Sequence, residues 1–166
     1  MSVVTNVGGF TDSLTATPTI TAGAYSSGNL LGGLLTLAGA ARVNADTGGL
    51  ATGTIRTVTL TDKANQKSAV DVVFFVANPT NTTFTDHAAA AINVADLPNV
   101  AGHVSIVAGD YISLAASTNA VATKGGLGIS YKIPSGSSLY ACLICRGTPT
   151  YASTSDVSLR VTVGKD

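Results

Sequence analysis

Glutamate and tryptophan are absent from this chain, methionine occurs once and cysteine twice. Charged residues make up 11% of it, against about 25% in an ordinary soluble domain, yet mean hydropathy is +0.37. An exterior with so little charge is either built of hydroxyl and amide groups or covered by other subunits. Both readings point to a building block rather than a solitary enzyme. The nine basic and nine acidic residues cancel. Arg42, Arg56, Lys63, Lys67, Lys124, Lys132, Arg146 and Arg160 stand singly, without the clusters that release counterions from nucleic acid, so no nucleic-acid partner is expected. Long apolar runs are also missing. The greasiest, Leu30 to Ala41, has 12 residues and three glycines, short of the about 20 a membrane-spanning helix needs. The first residues lack the basic and apolar regions of a secretory signal, so synthesis in a reducing cytoplasm is expected.

What is present is β-type sequence. At 166 residues the chain reads as one domain able to bury roughly 70% of its unfolded surface. Residues 1–17 read as an extended arm, with Val3, Val4, Val7, Phe10 and Leu14 as isolated apolar anchors for a neighbouring molecule, or else as a frayed terminus. The domain proper is expected at 18–166. Short runs bounded by Gly, Thr, Asn and Ser predict strands over Thr19–Tyr25, Leu34–Arg42, Gly53–Asp62, Val70–Ala77, Gly102–Val107, Leu127–Ile133, Ser138–Arg146 and Asp156–Val163. In the last of these Val157, Leu159, Val161 and Val163 alternate with Ser158, Arg160 and Thr162. Around Ile55 and Arg56 the alternation slips, which predicts a bulge or bend. The unbroken run Val72–Val76 suits a strand buried on both faces, one of them against another subunit. Asp62–Ser68 reads as a hairpin connection and Pro134–Ser137 as a tight turn. Thr85–Ile92, with four alanines, is the one segment that invites a short helix. The sum is an all-β, eight-stranded antiparallel sandwich of jelly-roll type, with one short helix and an amino-terminal arm.

Chemical motifs are few. Cys142 and Cys145 form a CxxC inside an apolar strand, without the helix start a redox pair uses or the second ligand pair a zinc site wants. Three residues apart in a strand they face opposite ways, so they read as buried free thiols packing as small hydrophobes. His87 after Asp86 reads as a local cap rather than a general base, and His103 as a surface or interface imidazole. No nucleophile elbow, zinc-protease helix or phosphate loop occurs, so no enzyme activity, cofactor or metal is expected. Asn81-Thr82-Thr83 reads as a polar loop. Arg146 and Tyr151, flanking a Gly-Pro turn, suit an interface, or else a solvent loop with Tyr151 covering one end of the sandwich.

One resemblance extends over most of residues 38 to 163. The stretches ARVNADTGGLATGTIRTVTLTDKANQKSA, TTFTDHAAAAINVADLPNVAGHVSI and LYACLICRGTPTYASTSDVSLRV resemble small structural proteins of tailed-bacteriophage head modules. That resemblance implies a capsid decoration or cement protein: a β-sandwich knob, often a homotrimer, on the outer surface of the virion, with the major capsid protein and itself as partners. A carbohydrate- or receptor-binding jelly-roll module of a virion is the other reading. Against it, the chain has no tryptophan to stack on sugars, and its five tyrosines and four phenylalanines are dispersed.

Overall fold

The computed structural model describes residues 10–42, 51–115 and 118–165. Its strands are β1 (Phe10–Ala16), β2 (Gly23–Ala24), β3 (Leu35–Leu37), β4 (Ala51–Asp62), β5 (Val70–Phe75), β6 (Val100–Ile106), β7 (Tyr111–Ala115), β8 (Asn119–Lys124), β9 (Ile129–Ile133), β10 (Leu139–Cys145), β11 (Thr150–Tyr151) and β12 (Val157–Lys165). The larger sheet runs β1-β12-β4-β8-β7, with β9 also on β4; the smaller runs β3-β10-β5-β6, and β11 pairs with β2. Every ladder is antiparallel. The protein is all-β.

Period-two patterning places the core between the two sheets. Val157, Leu159, Val161 and Val163 of β12 join Val58 and Leu60 of β4 on one side, and Val70, Val72, Phe74, Leu139, Ala141 and Leu143 meet them from the other. The slip in β4 is a bulge: Thr57 faces Thr162 and Ile55 faces Val163, leaving Arg56 unmatched. The extra residue returns Ile55 to the core, where it is fully buried. Beneath that bulge Gly53 is required. A Cβ there would stand 2.6 Å from the Gly164 carbonyl oxygen and 2.7 Å from the Tyr131 ring, and the Tyr131 hydroxyl itself donates to the Ala40 carbonyl.

Around Phe75 and Cys142 the smaller sheet is buried on both faces, as the Val72–Val76 run predicts, but the chain supplies its own cover; His103 and Ser105 of β6 stay exposed. Leu30, Phe75, Cys142 and Ile144 form a second cluster, packed over by Phe84, Ala90 and Ile92 from the long β5–β6 connection. Other expectations change as well. Phe10–Ala16, expected in an arm, is an edge strand paired residue by residue with β12, and Leu14 is buried in the core. Residues 1–9, with Val3, Val4 and Val7, lie outside the described residues. The predicted strand at Thr19–Tyr25 shrinks to β2, while β7, β8 and β11 occupy segments with no strand expectation.

The predicted helix at Thr85–Ile92 is a turn, with His87 at φ 62°; a 3-10 helix follows at Val94–Asn99 instead, capped by the Asn93 side chain on the Ala95 N–H. Alanine's preference for helix, a few tenths of a kcal/mol per residue, is outweighed by the bonds that hold Asp86. Asp62–Ser68 does not close a hairpin; like the bend at Pro134–Ser137, where Gly136 has φ 75°, it carries the chain from one sheet to the other. In the first, the buried Asp62 carboxylate accepts from the Ala64 and Lys67 N–H groups at 3.0 and 2.7 Å. Burial pushes its pKa up despite those bonds.

Candidate assembly surface

The chemistry-bearing side chains are largely engaged in holding the chain together. Asp86 is the clearest case. Its carboxylate accepts from the Thr21 N–H (2.8 Å) and hydroxyl (2.7 Å), the Tyr25 hydroxyl (2.9 Å) and the Gly32 N–H (2.6 Å). Burial raises its pKa, but these donors outweigh that and the net shift is downward. His87 stacks on Tyr25 with centroids 3.7 Å apart. The Asp86–His87 pair thus fastens one end of the sandwich, and its carboxylate has no free lone pair to orient a base. Asp96 repeats the device: buried, it accepts from the Asn81 side-chain amide at 3.0 Å and the Thr82 hydroxyl at 2.6 Å.

The residues expected at an interface fall in different places. Leu14 and Tyr151 are 7% and 3% exposed, both within the chain's own core; Tyr151 meets Tyr25 edge-on at 5.8 Å and closes the sandwich end beside the β2–β11 ribbon. Arg146 is exposed, its Nε 2.6 Å from Asp71 Oδ2. Phe10 is half exposed at the start of β1, beneath the Arg42 guanidinium at 3.6 Å. The two cysteines are free and buried. Cys142 lies in the outer cluster and Cys145 in the main core, so the two point to opposite faces of β10. Burial pushes the Cys142 thiol up to about 12. Among the described residues no group of three or more His, Cys or Asp side chains could hold a metal ion, and no helix is long and apolar enough to cross a membrane.

Residue-type patterns alone do not single out the surfaces that stand open. On β7, an edge of the larger sheet among the described residues, Ile112 and Leu114 are 67% and 69% exposed. Val107, at the end of β6, is 52% exposed. A second apolar site sits at the other end of β6, where Val94 and Leu97 stand out at 76% and 51%. They ride on the 3-10 helix pinned by Asp96, so this knob is rigid rather than frayed.

The outer face of the larger sheet is different again. Cross-strand pairing lines up Thr15, Arg160, Thr59 and Thr123 in one row, and Ser158, Thr61, Val121 and Ile112 in the next. It is a carpet of hydroxyls around an arginine.

No protein-family model matches the chain, and no curated protein matches it. Among solved structures the chain is similar to one of tomato aspermy virus determined by X-ray crystallography. Identity is 11% and the TM-score 0.42, over 99% of this chain and 81% of that one.

Proposed function

We propose that this chain is a non-enzymatic structural protein of a virion, a decoration or cement protein of the tailed-bacteriophage kind. On this reading it assembles as a homotrimer on the outer surface of the head, bound to the major capsid protein, and braces the shell. The observation that carries the proposal is the pair of exposed apolar sites, Ile112 on an edge strand and the Val94–Leu97 knob. An apolar edge strand left in water is a template for aggregation, and natural chains cover such edges. Two different patches on one chain make a head-to-tail contact, which closes into a ring when the rotation allows. A trimer is the smallest such ring beyond a pair.

The strand order supports a jelly roll. Taking β1, β3, β4, β5, β6, the β7–β9 group, β10 and β12 as successive strands 1 to 8, the sheets run 1-8-3-6 and 2-7-4-5. That is one long hairpin wound over on itself, the wrapping that gives jelly rolls their paired Greek keys. Many unrelated activities use this wrapping, so the function is argued from the surfaces. A carbohydrate- or receptor-binding head would need open aromatic faces, whereas Tyr25, Tyr111, Tyr131 and Tyr151 are buried and the half-exposed Phe10 ring is capped by the Arg42 guanidinium.

The test is reconstitution. Heads assembled without this chain are incubated with the purified protein, sedimented and imaged. Added density in three-lobed knobs on the outer shell is expected; heads that stay bare, or protein bound only at the tail, contradict the proposal.

A further inference from the structure

We infer that the depression around Arg160 on the outer face of the larger sheet docks an acidic segment of a different protein, one in which a carboxylate adjoins an apolar side chain. The inference rests on the assembly reading above, for which it supplies the shell-facing contact. The depression measures about 460 Å³, and Arg160 lies in it among the hydroxyl-bearing Thr15, Thr59, Thr61 and Ser158. Leu114 and Val121 form its apolar wall. A planar guanidinium beside hydroxyl donors fits a carboxylate, which can take two parallel N–H bonds and further O–H bonds.

Among the described residues the charge on this face is unmatched. The ion pairs to lysine and arginine use Lys124, Arg146 and Lys165, and Arg160 is in none of them. Arg56 and Lys132 stand on the same outer face: the Arg56 guanidinium reaches over Gly164, and Lys132 is the exposed residue between buried Tyr131 and Ile133. No aspartate lies among the outward positions of β4, β8, β9 and β12.

Charge complementarity therefore selects an acidic partner, and three features narrow it. A second copy is a poor donor, because the described carboxylates are already committed. Asp12, Asp71 and Asp110 hold cations, Asp62, Asp86 and Asp96 hold the donors described above, and Asp156 accepts the Ala152 and Ser153 N–H groups. Three cations separated by hydroxyls do not follow a duplex that carries one phosphate charge per about 1.7 Å. The apolar wall offers a polysaccharide or nucleic-acid backbone nothing to bury, whereas it suits an aliphatic protein side chain.

The test measures binding of the intact protein at low salt to immobilised poly-L-glutamate and to a random glutamate–leucine copolymer, with polyuridylate and dextran sulfate as comparators. Wild type is expected to bind both polypeptides, the copolymer more tightly. Arg160→Gln is expected to weaken both by at least about tenfold, the loss of one charge-assisted contact, and Val121→Ser, on the wall away from the β7 edge, to abolish the copolymer's advantage. Lys67→Gln, in the β4–β5 connection beside Ser68 and Gly147, should bind as wild type does. Unaltered binding by Arg160→Gln, absence of polypeptide binding, or preference for polyuridylate or dextran sulfate each overturns the inference. Light scattering on the same samples separates it from the assembly reading. A trimer whose Arg160→Gln form binds normally defeats the docking site alone; a monomer that binds through Arg160 defeats the trimer alone.

Discussion

The Tyr25 hydroxyl donates to the Asp86 carboxylate at 2.9 Å, across 61 residues of sequence, while the Tyr25 ring carries His87 stacked on its face. That contact, with the bonds from Thr21 and Gly32, fastens the middle of the long β5–β6 connection to the segment before β3. The connection in turn covers Phe75, Cys142 and Ile144. One carboxylate thereby helps to hold a whole second cluster in place.

Replacing it should be costly. Asp86→Asn is expected to destabilise the fold by about 1.5–3 kcal/mol, the worth of hydrogen bonds to a charged group, read as a lower midpoint in thermal unfolding. The acid limb changes with it. Donors and cations hold Asp12, Asp71, Asp86, Asp96 and Asp110 below the usual carboxylate pKa. Their contribution is complete above the unfolded value near 4 and is lost as pH falls through the folded values. Asp62, raised by burial, acts in the opposite sense: its contribution is greatest when protonated and declines as pH rises through its folded pKa. With five groups against one, the midpoint should fall below about pH 4, less steeply in Asp86→Asn than in wild type. A midpoint that rises on acidification would contradict this balance.

Truncation separates the strand from whatever precedes it. Deleting residues 2–9 should leave the unfolding midpoint near that of wild type and weaken attachment to heads, if Val3, Val4 and Val7 are anchors. Deleting 2–17 also removes β1 and Leu14, at a cost of at least about 2–5 kcal/mol for the lost core side chain, seen as a lower denaturant midpoint. Equal midpoints for the two deletions would show that β1 contributes nothing to the sandwich.

The cysteines give a packing test. With both thiols buried and Cys142 pushed up to about 12, a thiol reagent at neutral pH should label the native protein very slowly, and label both residues at once in denaturant. Rapid labelling of one cysteine in the native state would place it in an open or mobile site.

Strands whose inward residues are large were legible in the sequence. The valines and leucine of β12 read plainly, the slip at Arg56 marks the bulge, and Val72–Val76 marks a strand with two dry faces. Other elements hide because their inward residues are small or few. β8 turns Ala120 and Ala122 to the core, and β1 offers chiefly Leu14. In β7 the pattern is inverted: Tyr111 is inside while Ile112 and Leu114 face out, so the apolar alternation that normally marks a core marks an exposed site. The alanines after His87 suggest a helix, but Ala90 serves instead to pack against the outer cluster of Leu30, Phe75, Cys142 and Ile144. The depression at Arg160 gathers residues from five strands and rests on register, which no local pattern records.

Light scattering coupled to size exclusion, run on wild type and on Ile112→Asp at micromolar concentration, tests the assembly claim most directly. The account predicts wild type at the mass of three chains and a folded Ile112→Asp monomer, since a carboxylate on that edge would be buried without a partner. A wild-type protein that elutes as a monodisperse monomer, with β7 open to water, would contradict it.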